Sequence, residues 1–264
     1  MAITTMDQLL AALESGSKTN ATKISTTSEG AGLWHSLWSV AGYPAAGAVP
    51  ATGSGAVPVS TTLGTIPFTN PTAPAKKYIA RINAQGSTTG TLVIYDRLWH
   101  NSGLVGNIIT SQAVNSVALT RYTTGVGVEV WGEVYAAMGA TGSVLSLSYT
   151  DSLDQPRIGT YTHPANALSV GQMFPFSPPI AAVGIKSIQS VILSISTGTA
   201  GSFGLVLARR IAEIPLTAVN ISNVLDSFSL GLPEIQPNAA LSFQVSCTTT
   251  NTGLIMGTID IIEG

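Results

Sequence analysis

From Lys76 to the carboxyl end the chain alternates apolar and polar side chains residue by residue. This period of two constrains the fold more than any other feature. Leu241, Phe243, Val245 and Cys247 oppose Ser242, Gln244, Ser246 and Thr248. Val128, Val130 and Val134 oppose Glu129, Trp131, Glu133 and Tyr135, while Phe203, Leu205 and Leu207 lead to Arg209. Successive side chains of a strand point to opposite faces, so such runs mark strands with one buried face. Strand-like runs lie at roughly 77–84, 91–100, 126–137, 143–151, 185–197, 203–214, 240–248 and 253–262, separated by turn residues. No helical period interrupts them, which excludes βαβ units, and alternation favours antiparallel pairing. The expected fold is all-β: an eight-stranded antiparallel β-sandwich of jelly-roll type over residues 76–264, with 101–125 and 152–184 crossing between sheets.

The first 75 residues have a different texture. Thr5 to Glu14 reads as one short helix (about 5–15), capped by Thr4 or Thr5, with Asp7 in its first turn and Gly16 after it. Met6, Leu9, Leu10 and Leu13 share one face at helical spacing, and so short a helix must dock that face on something. Residues 16–75 are rich in Ser, Thr, Gly, Pro and Ala, and long structureless loops are rare inside compact domains. They are read as an extended arm, 1–75 forming a unit separate from 76–264. Leu9, Leu13, Trp34, Trp38 and Tyr43 are its candidate partner contacts. The alternative is that the three rings pack on their own domain. The arm is expected to hold an assembly together rather than to fold the sandwich.

Only 9% of the 264 residues are charged, 45% are hydrophobic and the formal net charge is -2. Phosphate neutralisation needs Lys and Arg, so nucleic acid is an unsuitable partner. Weak self-repulsion suits packing against other subunits better than life as a free monomer. The lone cysteine, Cys247, reads as a buried thiol. Met1 to Asp7 lacks a basic patch and an apolar segment, and no apolar run nears the ~18 residues of a membrane helix. Synthesis in a cytoplasm, with no membrane partner, is expected.

The densest polar and aromatic cluster is Asp96, Arg97, Trp99 and His100, at the end of the run Leu92 to Tyr95 and before the turn residues Asn101-Ser-Gly103. A Ser102, His100, Asp96 triad can be drawn on paper, but the strand-turn-helix setting of a nucleophile elbow is missing. The cluster is read as a structural corner, with Trp99 plugging the sandwich. His35, His100 and His163 show no metal-ligand spacing, and His163, before Pro164, reads as a loop residue. Glu129 and Glu133 stand about 13 Å apart along a strand, too far for a glycosidase pair, and read as solvent or interface residues. Trp131 and Tyr135 are a candidate aromatic strip for a partner subunit or a glycan. Gly86 to Gly90 lacks the lysine of a phosphate loop and reads as a hairpin turn. Asn20 and Asn220 sit in sequons that, without a secretion signal, read as chance matches. No cofactor is expected.

Asp96-Arg-Leu-Trp-His-Asn-Ser-Gly-Leu104, Gln112-Ala-Val-Asn-Ser116 and Gly127-Val-Glu-Val-Trp-Gly-Glu-Val-Tyr135 together resemble a group of tailed-bacteriophage virion structural proteins. The helix-bearing amino terminus and Gly32-Leu-Trp-His-Ser-Leu-Trp38 are similar too, so the likeness covers about residues 1–160. It implies a non-enzymatic capsid decoration (cement) protein on the capsid surface of a virion, made in the host cytoplasm. The implied partners are the major capsid protein and further copies of the chain, a trimer being preferred to a dimer. A tail, fibre or baseplate role with glycan binding is the alternative. The motifs mark a fold, so no catalytic residue is carried over.

Overall fold

The computed structural model describes residues 3–25, 30–177 and 184–264. Residues 1–2 and 26–29 of the expected arm, and 178–183 of the second long connection, lie outside the described residues. In chain order the elements are α1 (Met6–Ser15), β1 (Ser17–Ile24), β2 (Trp34–Ser36), β3 (Gly42–Tyr43), β4 (Lys77–Gly86), β5 (Gly90–His100) and β6 (Gln112–Ala113). They continue with β7 (Val128–Ala136), β8 (Ser143–Asp151), β9 (Pro156–His163), β10 (Gln172–Pro175), β11 (Ile185–Leu193) and β12 (Ser202–Leu216). The last are β13 (Asn223–Leu225), α2 (Ser227–Leu230), β14 (Glu234–Ile235), β15 (Leu241–Cys247) and β16 (Leu254–Glu263).

The fold is all-β, and each of the eight expected runs contains a strand. The arrangement, however, is not one eight-stranded sandwich. Strands β10-β2-β15-β5-β12-β7 close into a six-stranded antiparallel barrel. A second sheet has the order β13-β4-β16-β1-β3 with β14 also on β4, and a third has the order β6-β11-β8-β9. One apolar layer, including Leu92, Ile94, Ile214, Phe243 and Val245 of the barrel, packs with Ile79, Ile82, Ile255 and Ile259 of the six-stranded sheet. Another, including Trp99, Val130, Phe203 and Leu205, packs with Leu145, Leu147, Ile188 and Val191 of the four-stranded sheet. The barrel is therefore the shared wall of two sandwiches.

Two long strands make this possible. The first part of β5 faces the six-stranded sheet through Leu92 and Ile94, and its end faces the four-stranded sheet through Leu98 and Trp99. Strand β12 divides in the opposite sense, with Phe203, Leu205 and Leu207 on one sandwich and Ala212, Ile214 and Leu216 on the other. The β5–β12 ladder shifts register at Leu207/Ala208 and again at Arg210/Ala212. Bulges of this kind bend a strand and re-aim its side chains, so one ladder serves two layers.

The arm expected over 1–75 differs most from expectation. Strand β1 pairs along its whole length with β16, from Ser17↔Ile261 to Ile24↔Leu254. Strand β2 sits between β10 and β15 and completes the barrel. Hydrogen bonds thus cross the boundary drawn at residue 75. The apolar pattern could not reveal this, because β1 (Ser-Lys-Thr-Asn-Ala-Thr-Lys-Ile) buries little besides Ala21 and Lys23. Helix α1 forms with a capping box between Thr5 and Gln8. It docks Leu9 and Ala12, with Leu13 partly buried, on Ala80 and Ile262. Met6 and Leu10, expected on that face, are exposed. Gly86 to Gly90 is not a hairpin either. It carries the chain from β4 in one sheet to β5 in the barrel, and a Cβ on Gly90 would stand 2.0 Å from the Ser246 carbonyl oxygen.

Candidate functional site

The faces of β5, β7 and β12 that carry Arg97, Glu133 and Arg210 turn into the barrel, burying Arg97 and Glu133 while Glu129 and Arg210 stay partly exposed. A closed sheet has an inside, and alternation cannot say which face becomes it. Within the barrel Val93, Tyr95, Trp131, Met173, Val206 and Ala208 form an apolar cluster, with Trp34 packed against it. Beside them Arg97 forms an ion pair with Glu133, both side chains being almost wholly buried. The Tyr135 hydroxyl donates to Glu133 Oε2 at 2.9 Å, and Arg97 Nη2 donates to the same hydroxyl at 3.2 Å. Arg97 Nε donates to His100 Nδ1 at 2.8 Å, and the guanidinium lies 4.6 Å from the centre of the Trp38 ring. Further along the barrel Glu129 Oε2 accepts from Tyr95 OH at 2.9 Å and Trp131 Nε1 at 3.1 Å, with Arg210 Nε 3.7 Å from Oε1.

Asp96 points the other way and holds loops. Its carboxylate takes two bonds from Arg121, at 2.9 and 2.8 Å, and one from the Ala240 amide at 2.9 Å. Arg121 Nη2 also donates to the carbonyls of Arg97 and Pro58, at 3.1 and 3.2 Å. Trp99 Nε1 donates to Ser54 O at 2.7 Å, and Ser102 Oγ donates to Pro50 O at 2.6 Å. The segment Asp96 to Ser102 therefore pins residues 50–58 to the barrel end.

Burial governs the electrostatics. It pushes the Asp96 carboxyl up, against the pull of Arg121 and the Ala240 amide. It pushes Tyr135 up strongly, with Glu133 adding to the effect. For Arg97 burial pulls down, but Glu133 and Tyr135 together raise it, so it stays charged. Burial, then the Arg97 charge, lower His100 to about 2, so its ring is a neutral acceptor at ordinary pH.

The residues singled out in the sequence fare differently. Asp96, Arg97, Trp99 and His100 are all buried, but Arg97 bonds His100 while Asp96 turns to Arg121 and Trp99 to Ser54, and Ser102, His100 and Asp96 do not form a relay. His100 Nδ1 is held by Arg97, Ser102 by Pro50 and Asp96 by Arg121. Trp38 is 1% exposed, with its Nε1 donating to Ala48 O at 2.9 Å. Trp34 packs edge-on to Trp131, their centres 6.0 Å apart. Trp131 is 4% exposed and Tyr135 is engaged by Glu133, so neither forms an open strip for a glycan or partner. Leu9 is buried under α1, and Tyr43 alone of these candidates is freely exposed. Glu133 is wholly buried, not a solvent residue, and His163 is buried at the end of β9, not in a loop. Among the described residues no group of three or more His, Cys, Asp or Glu is placed to hold a metal ion. No helix among them is long and apolar enough to cross a membrane. Arg121 and Lys23 escaped the sequence reading: nothing in Thr120-Arg-Tyr122 announces a partner 25 residues away.

No family model matches the chain, and no curated protein matches it. Among solved structures, that of infectious bursal disease virus Gx strain aligns with TM-score 0.19 and 11% identity, over 94% of this chain and 80% of that one. The infectious bursal disease virus VP2 subviral particle aligns with TM-score 0.18 and 11% identity over the same shares. Likeness at this level carries no argument about what the chain does.

Proposed function

We propose that the chain is a non-enzymatic structural subunit of a virion, specifically a bacteriophage capsid decoration (cement) protein. It would sit on the outside of the shell and stabilise it through contacts with the major capsid protein and with further copies of itself. The observation that carries this reading is a surface poor in charge on which many large apolar side chains stand exposed. Scarce charges, Lys23, Asp96, Arg97, Arg121, Glu133 and Asp151, are buried. Large apolar side chains stand outside instead, among them Leu63, Ile109, Leu153, Ile158, Ile221 and Phe228. With a net charge of only -2 to repel other copies, such a surface is suited to close packing against further subunits. The sequence likeness to phage virion proteins names the kind of assembly. The tail or fibre alternative with glycan binding loses its main support, because Trp131 and Tyr135 face inward.

The test is attachment. Purified protein mixed with capsid shells that lack it should bind saturably, at a copy number fixed by the shell's symmetry. Failure to bind shells, or a handful of copies at one vertex, would sink the decoration reading.

A further inference from the structure

Arg209, on β12, is held ready by three neighbours that leave its charge uncompensated. Its guanidinium carbon lies 4.6 Å from the centre of the Tyr122 ring. Its Nη1 donates to the Val126 carbonyl. The same nitrogen would stand 2.7 Å from a Cβ on Gly127, whose φ is +71°, so only glycine lets the loop close on it. Among the described residues no carboxylate lies within ion-pair distance of Arg209. The nearby charges are spoken for: Arg210 pairs with Glu213 at 2.7 Å and lies 3.7 Å from Glu129, and Glu234 pairs with Lys76 at 2.7 Å. Arg209, Tyr122, Arg210, Glu234 and Gln236 line one open cavity of about 360 Å3.

Tyr122 is itself fixed. It follows Arg121, which Asp96 clamps with two bonds, and it has φ +50°, a left-handed conformation that an aromatic residue rarely adopts. The buried Asp96–Arg121 pair thus sets the ring, and the ring sets the guanidinium. A planar fork immobilised before its ligand arrives is what strong recognition of an oxyanion requires.

We propose that this cavity is a carboxylate-binding pocket that takes an acidic side chain of a partner subunit. One uncompensated positive charge matches one carboxylate. A phosphate dianion would bring a second negative charge that the lining, where Arg210 already faces Glu213 and Glu129, does not match, and is disfavoured. The partner as the source of the carboxylate rests on the reading of the chain as an assembling subunit; the pocket's chemistry does not.

The isolated full-length protein can be titrated with small probes while the arginine Nε–H signals are followed by NMR. N-acetylglutamate α-amide offers only the side-chain carboxylate, N-acetylglutamine only an α-carboxylate, and N-acetylglutamine amide neither. The first should shift the Arg209 signal saturably and the third should not. Arg209→Lys, which keeps the charge and loses the fork, should weaken binding by about tenfold or more, and Arg209→Gln should abolish it. No saturable shift, an equal shift with the neutral amide, or unchanged affinity in the variants would overturn the pocket. Tighter binding of N-acetylglutamine or of inorganic phosphate would overturn the side-chain assignment. Should a variant fail to fold, the charged-versus-neutral comparison on the wild type still decides. Because this experiment uses no shells, its failure is separate from failure of the decoration reading.

Discussion

Replacing Arg97 by Met is the sharpest perturbation of the barrel interior. The substitution removes the ion pair to Glu133, the bonds to Tyr135 and His100, and the cation over Trp38. Glu133, fully buried, would keep only the Tyr135 hydroxyl among its present partners. Breaking one side of a buried pair costs about 3–5 kcal/mol, mostly from the charge left behind. Glu133→Leu should cost about the same, because it strands the guanidinium. The double variant Arg97→Met/Glu133→Leu leaves no stranded charge. What remains is one orphaned Tyr135 hydroxyl and the His100 Nδ1 acceptor, at about 1–3 kcal/mol. Adding Tyr135→Phe should recover part of that. Urea unfolding at neutral pH, with slopes compared to confirm the same transition, measures all four. The expected coupling between Arg97 and Glu133 is about 3 kcal/mol or more. Single variants that each cost under about 1 kcal/mol, or a double variant as unstable as the sum of the singles, would refute the account of a linked buried pair.

Lys23 is 1% exposed, and its ammonium donates to the Val40 carbonyl at 2.9 Å, with no carboxylate in ion-pair reach among the described residues. Burial lowers it to about 8, from an ordinary 10.5. The unfolded chain therefore binds the extra proton between these values, so stability should rise as pH rises from about 8 toward 10.5. Lys23→Met should stabilise the protein by about 2 kcal/mol at pH 7, after discount for screening, and the gain over wild type should shrink through that window. Denaturant titrations of both proteins from pH 7 to 10 would show it, and a constant difference would contradict it. Gly132→Ala places a Cβ 2.0 Å from the Phe174 ring and should destabilise by about 1–3 kcal/mol by overpacking, read as a lowered melting temperature. Deleting residues 1–75 removes β1 and the barrel strand β2, so the remainder should lose its cooperative thermal transition; a truncated chain that melts cooperatively would restore the separate-arm reading.

Period-two alternation was enough to place eight strands and the all-β class, because burial of one strand face leaves a local record. Alternation also placed the buried Cys247, and Thr5 ahead of the helical spacing of Met6, Leu9 and Leu13 placed the cap of α1. Strand partners are a different matter. Ser17 meets Ile261 across most of the chain, and nothing in either neighbourhood encodes that meeting. Short strands such as β2 and β10 gain their place from the edges they bridge, not from their own pattern. The same limit explains Glu133 and Tyr135. Alternation gave them a polar face, and closure of the barrel made that face the interior. Asp96, Arg97, Trp99 and His100 were legible as a cluster because they are contiguous in sequence. Arg121, and the Tyr122–Arg209 pair, were not, because the loops that bring them together are set by packing between layers. Local sequence decided which residues extend and which face is apolar; tertiary structure decided which polar faces are buried, since closure and layer packing depend on contacts distant in sequence.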